Sequence, residues 1–348
     1  MNKIIHVIIV CLDVVLLASC TVDKADRVQH RHRTQSILVP SSSGNPYEVM
    51  IVAEDSIWNG YAGKALREVM ERPMPMLPQE EPMFHVSHVD HKHYDRITNL
   101  FRNIIVLEVS PYSTEAHIGL QRDLFSSPQL IMEVKAPSHR ELSSFITEQT
   151  QYFLNYLSVE ELNRSAAILE EQHNAKFNKA VQEMFGCEIY IPTELMKIKK
   201  GENFLWATND GTNVIQNVCV YSYPYVSEKV FTRKSYIALR DTFMKRNIRG
   251  IKPDQYMFTN SEFVKVKNIN KQGHYAQEAR GLWEMQNDMM GGPFISHSQV
   301  DTVNNRVIVA EGFVYAPDKM KRTILRRLEA ALYTLKLPTS KTESNEKN

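Results

Sequence analysis

The chain has 348 residues, 43% of them hydrophobic, which is enough for two ordinary domains with a sizeable core and too many for a disordered chain. Lys plus Arg number 41 against 40 for Asp plus Glu, so no overall charge field points to nucleic acid and none is expected as a partner.

Lys3 followed by the apolar run Ile4 to Leu17 has the charge and length of a secretory signal, residues 1–19. Asp13 interrupts the run, where a carboxylate costs ~2.5–3.5 kcal/mol at a helix centre. The run is also short against the ~20 residues that span a bilayer. Leu17-Ala18-Ser19-Cys20 closes it. That tetrad resembles the lipobox of bacterial lipoproteins, which implies cleavage before Cys20, acylation of Cys20 with chains such as palmitate, and a mature chain outside the cytoplasm. Membrane attachment is then expected through the N-terminal lipid, at the periplasmic face of the outer membrane. Residues 20–46 read as the lipidated cysteine and a flexible tether ending in Ser41-Ser42-Ser43-Gly44-Asn45-Pro46.

Residues 47–185 are expected to form an N-terminal α/β unit. Tyr47 to Ala53, Phe84 to Val89, Asn103 to Val109 and Gln129 to Lys135 have the apolar content of strands. A helix is expected over Trp58 to Glu71, before Pro73, Pro75 and Pro78. A long helical region follows from Ser138. Its start is marked by the capping box Ser138-x-x-Glu141, and a second box, Ser158-x-x-Glu161, predicts a break.

From Gly186 the pattern turns to β, and residues 186–338 are expected to form a second, α+β unit. Asn209-Asp210-Gly211 marks a hairpin, and Asn304-Asn305 a second tight turn. Helices are expected over Thr232 to Lys245 and from a cap at Asp318 to Leu335, the latter with Lys319, Lys321, Arg322, Arg326 and Arg327 outward. A tryptophan strand and a hairpin precede each helix, with Trp206 in the first half and Trp283 in the second. These β-β-α halves predict one antiparallel sheet, alternately apolar and polar along its strands, with the helices packed on one face. Cys187 and Cys219 fall in strand-like stretches, where they either pair or remain buried free thiols. Residues 339–348 read as a disordered tail.

Chemistry-bearing motifs are sparse. His85-x-x-His88-x-x-His91-x-His93 is the best metal candidate, because imidazoles are ordinary zinc and copper ligands. Its spacing suits neither strand nor helix, since in a strand His85 and His88 face opposite sides. There is no Gly-x-Ser-x-Gly elbow, Walker loop or Gly-x-Gly-x-x-Gly, so no cofactor is expected. The most distinctive segment is Arg280-Gly281-Leu282-Trp283 with Met290-Gly291-Gly292-Pro293-Phe294. Its glycines permit positive φ or close backbone approach. Trp283, Met290, Gly291, Gly292 and Pro293 are therefore the candidate binding residues, Met290 to Pro293 read as a loop and Trp283 as a strand residue that either stacks on a ligand or packs in the core.

These two segments, the tetrad ending in Cys20 and Gly312-Phe313-Val314-Tyr315-Ala316-Pro317 before the last helix resemble DUF4837. That is a family of uncharacterised Bacteroidetes envelope lipoproteins. The resemblance extends over Tyr47 to Leu337 and rests most on the C-terminal segments. It implies a cell-envelope lipoprotein and brings no activity, substrate or catalytic residue. The function expected is a lipid-anchored, non-enzymatic envelope protein binding a protein or glycan partner. The alternatives are a metal-assisted hydrolase using His85, His88 and His91, or a purely structural envelope spacer.

Overall fold

The computed structural model describes residues 39–271 and 273–338. Cys20, the signal sequence and the tail 339–348 lie outside the described residues.

The first sheet has the order β2-β1-β3-β5-β4. Its strands are β1 (Glu48–Val52), β2 (His85–Val89), β3 (Asn103–Val109), β4 (His117–Arg122) and β5 (Leu130–Ala136). β1 runs parallel to β2 and β3, β3 runs parallel to β5, and β4 pairs antiparallel with β5. Val49, Ile51, Ile105, Leu107 and Met132 face α2 (Tyr61–Met70), α3 (His139–Glu148) and α4 (Thr150–Glu171), while Val52, Ile104 and Ile131 fill the opposite face. Burial on both faces is why Asn103 to Val109 reads as a continuous apolar run.

Residues 40–46, expected as free tether, are bonded to this unit. Ser43 N donates to Leu100 O at 2.8 Å, and Arg102 N donates back to Ser43 O at 2.9 Å. Ser42 N donates to Ser127 O at 3.2 Å.

The first capping box forms, with Ser138 Oγ accepting from Glu141 N at 3.3 Å. The second does not. α4 runs unbroken through Ser158 and Glu161, because the fully buried Glu161 carboxylate turns toward the sheet. There it accepts from Arg102 at 2.9 and 3.0 Å, Asn103 at 2.7 Å and Arg164 at 2.9 Å. The chain instead breaks at Gln149, between α3 and α4, and again after Glu171, where Asn174 caps α5 (Ala175–Phe185) by accepting from Phe177 N at 3.0 Å. α5 buries Phe177, Val181 and Phe185 in the core of the second unit, so this helix packs with the unit that follows it.

The second sheet is antiparallel throughout, in the order β6-β7-β8-β12-β11-β10-β9. The strands are β6 (Lys197–Gly201), β7 (Phe204–Thr208), β8 (Ile215–Pro224), β9 (Met257–Lys271), β10 (His274–Met285), β11 (Gly291–Asp301) and β12 (Arg306–Tyr315). The α+β class holds, but the placement of the helices does not. α6 (Arg233–Asn247) packs over Cys219, Tyr221, Val309 and Phe313, whereas α7 (Arg322–Tyr333) packs over Val220, Ile308, Ala310 and Val314. Successive residues of one strand point to opposite faces, so the two helices lie on opposite sides of the sheet. The central strands are consequently buried on both faces and do not alternate with polar residues.

α7 also joins the two units. It begins at Arg322, not after Asp318, and has no side-chain cap of its own. Glu81 of the first unit supplies the missing acceptor, with Lys321 N donating at 2.6 Å and Arg322 N at 3.0 Å to its two carboxylate oxygens. A carboxylate there also complements the positive end of the helix. Arg322 donates to Pro82 O at 2.7 Å, and Arg326 lies over the Tyr47 ring at 4.9 Å. Lys321, Arg322 and Arg326, expected outward, are 4%, 4% and 5% exposed at this junction.

Candidate functional site

A groove of about 490 Å³ opens on the face of the second sheet that carries α6. α6 ends at Asn247, and the sheet beyond it is walled by Ile248, Arg249 and Ile251. The floor comes from Trp206, Ile215, Trp283, Phe313 and Tyr315, with Met290 at one side. The two tryptophans that mark the sequence halves thus meet in one depression, because β7 and β10 flank the central strands β8, β12 and β11.

Trp283 is the buried base of the site, 2% exposed. Its indole Nε1 donates to Val314 O at 3.2 Å and its ring meets Phe313 edge-on at 5.9 Å. Trp206 is half-buried and donates from Nε1 to Asn217 Oδ1 at 3.0 Å. Asn217 Nδ2 in turn donates to Phe313 O at 3.3 Å.

Gly291, Gly292 and Pro293, read from sequence as a loop tip, are the first residues of β11, opposite Glu284, Trp283 and Leu282. The turn lies earlier: Asn287 has φ 56 and Met289 is fully exposed. The glycines serve close approach. A Cβ on Gly292 would sit 2.0 Å from Val314 O, and one on Gly281 would sit 2.6 Å from Phe263 O. Without these side chains the strands close over Trp283 and hold it flat. Of the five predicted binding residues, Trp283 and Met290 line the groove, and the other three shape the strand behind it.

The histidines are dispersed. His88 bonds Ala53 O through Nε2 at 2.9 Å and stacks on Trp58 at 4.8 Å. His91 bonds Leu107 O at 3.3 Å, and His85 is exposed on the edge strand β2. Among the described residues no three His, Cys, Asp or Glu side chains are placed to hold one metal ion. Cys187 and Cys219 are free and buried, on the α7 and α6 sides of the sheet respectively. Burial pushes the Cys187 thiol up to about 12, so it is not a thiolate nucleophile at neutral pH.

Two buried ionic groups have no counterpart in the motif reading. Arg240 of α6 and Glu311 of β12 are both fully buried and bonded at 2.6 to 3.1 Å, with Arg240 also donating to Thr259 Oγ1 at 2.8 Å. Burial opposes the charge on Arg240, but Glu311 overcomes it and holds the guanidinium protonated above its ordinary range. On the α7 side Arg280 donates to Glu278 at 2.8 Å and bonds Glu329, which Arg326 also reaches at 3.2 Å. Burial works against the Glu329 charge, and Arg280 and Arg326 outweigh it, keeping the carboxyl below its usual value. Signals for both were present. Arg240 falls between Tyr236 and Met244 at i,i+4 spacing, and Glu311 is the lone charge in the run Val307 to Val314. These groups are closed to solvent, whereas the groove is open and larger than a second depression among the described residues, about 210 Å³ beside Tyr47, Leu169 and Arg327.

Residues 174–334 match the family model of DUF4837, a domain of unknown function, and residues 42–170 match DUF8532, likewise a domain of unknown function. The resemblance drawn from sequence over Tyr47 to Leu337 therefore divides at the break between α4 and α5. No curated protein matches the chain.

Proposed function

With residues 174–334 the chain is a member of the DUF4837 family, and from that premise we propose that it is a lipid-anchored envelope protein that works by binding rather than catalysis. The groove over Trp283 is its binding site. The single observation that carries this is the lining: ten apolar or aromatic side chains around about 490 Å³, with Asp210 and Arg249 the only charged ones of the lining. Binding sites for small or extended ligands have this make-up, mostly apolar with few polar groups. Three methionines, Met257, Met285 and Met290, add an adaptable surface.

The anchor rests on the signal-like run and Cys20, which support secretion and attachment to the periplasmic face of the outer membrane. Of the partner classes expected, a hydroxyl-rich glycan finds few groups to bond on the floor, where Trp206, Trp283 and Asn217 already satisfy their polar atoms within the protein and Tyr315 Oη is the exception. An apolar partner fits better. The metal-assisted alternative would need His88 and His91 to leave Ala53 O and Leu107 O and converge with His85.

Two measurements test the proposal. Cys20→Ala should move the protein from the membrane to the soluble fraction of cells. A photo-crosslinking residue at Met289, fully exposed next to the lining residue Met290, should trap an apolar partner, and Met290→Glu should abolish trapping while the protein stays folded. Unchanged fractionation removes the anchor, and trapping indifferent to Met290→Glu removes the groove.

A further inference from the structure

Resting on the reading of the groove as a binding site, we infer that its ligand is a single-chain anionic amphiphile, a long-chain carboxylate. The chain lies along the apolar floor and the carboxylate sits at Arg249.

Three observations converge on this chemistry. First, the side-chain polar atoms of the floor other than Tyr315 Oη are already engaged: Trp206 Nε1 with Asn217, Asn217 Nδ2 with Phe313 O, Trp283 Nε1 with Val314 O, and Thr208 Oγ1 with Asp210 N. A peptide laid in the groove would bring unpaired amides and carbonyls that this floor cannot satisfy, whereas a polymethylene chain brings none. Second, of the two charged residues that line the groove only Arg249 is left without an ion pair among the described residues. Asp210 is neutralised by Lys197 at 2.7 Å. Arg249 lines the groove and makes no ion pair among the described residues, its one hydrogen bond going to Pro253 O. Lys252, three residues on, is exposed and likewise without an ion pair. The nearby carboxylates of Asp254 and Asp288 accept from Asn287 and Gln255 at 2.8 and 2.9 Å. Arg249 is thus left to face an incoming anion, and a guanidinium suits a carboxylate geometrically. Third, Ile251 lines the groove and Met289 adjoins the lining residue Met290, and both are essentially fully exposed. They stand on two turns tied together by Gln255, which donates to Asn287 O at 3.1 Å and Asp288 at 2.9 Å. These side chains extend the apolar track outward to where a long chain enters.

The test uses the purified full chain carrying Cys20→Ser, so that no acyl group of its own fills the groove. Binding is measured calorimetrically with palmitate, laurate and hexadecanol below their aggregation limits. Palmitate should bind saturably at one site. Laurate, four methylenes shorter, should bind more weakly by up to on the order of 100-fold, at about fourfold per buried methylene. Met290→Glu should weaken palmitate at least tenfold, and Ile251→Glu, at an exposed position that leaves the fold intact, should do the same. Arg249→Glu should weaken palmitate at least tenfold and leave hexadecanol unchanged, which separates the head-group contact from the chain contact. No saturable palmitate binding, or binding that ignores Met290→Glu and Ile251→Glu alike, overturns the assignment. Failure with palmitate alongside trapping of an apolar peptide at Met289 overturns the acyl ligand while leaving the groove a binding site, and failure of both removes both.

Discussion

The contact of Glu81 with α7 offers the sharpest test of how the molecule is held together. Glu81 is 5% exposed, and its carboxylate takes two otherwise unpartnered backbone N–H groups of a helix from the other unit, at 2.6 and 3.0 Å. A hydrogen bond to a charged group contributes ~1.5–3 kcal/mol, and a carboxylate at a helix N-terminus adds ~0.3–1 kcal/mol, more where partly buried. Glu81→Gln keeps the shape and one acceptor but loses the charge, so it should cost about 2–3 kcal/mol. Glu81→Ala leaves two buried donors unpaired and should cost about 3–5 kcal/mol. The assay is urea unfolding read by far-ultraviolet circular dichroism and by tryptophan fluorescence, with Trp58 reporting the first unit and Trp206 and Trp283 the second. Wild type should unfold in one coincident transition. Glu81→Ala should separate the probes, with Trp58 and the second-unit tryptophans reporting different midpoints. A loss below about 1 kcal/mol with the probes still coincident would refute the reasoning, because it would mean that water replaces the carboxylate at no cost.

Arg240→Met should cost about 3–5 kcal/mol by stranding the Glu311 charge, and adding Glu311→Leu should recover most of it; a double-mutant cycle in urea checks both. Gly292→Ala, whose Cβ would meet Val314 O at 2.0 Å, should cost about 3 kcal/mol and raise the quantum yield change of Trp283 on unfolding, measured by fluorescence. Lys271 is 1% exposed, its Nζ donating to Leu332 O at 2.6 Å and Gln299 at 2.9 Å, and burial lowers its pKa to about 7. Between pH 7 and the unfolded value of 10.5 the unfolded chain holds a proton that the native one lacks, so this group makes stability rise with pH there. Lys271→Met should remove that rise, seen as the difference between the two unfolding free energies across the range. A difference that is flat with pH would mean that the amine stays charged in the fold.

What the sequence determined by itself was local. The apolar runs located the inner strands but not the polar edge strands β4 and β6, Ser138 and Thr232 marked helix starts, and the segments around Trp206 and Trp283 marked strands of one antiparallel sheet. The antiparallel α+β class followed, because periodicity and turn chemistry act over a few residues and are written in adjacent positions. The tertiary structure decided which face each helix covers, since a continuous apolar run calls for burial on both sides of a strand without saying which helix lies on which. It also decided that Glu81 caps a helix 240 residues later and that Lys321, Arg322 and Arg326 point into a junction. The groove belongs to this second class. Trp206, Ile215, Ile251, Met290 and Tyr315 come from separate strands and turns, and no spacing along the chain records that α6 stops short of covering them.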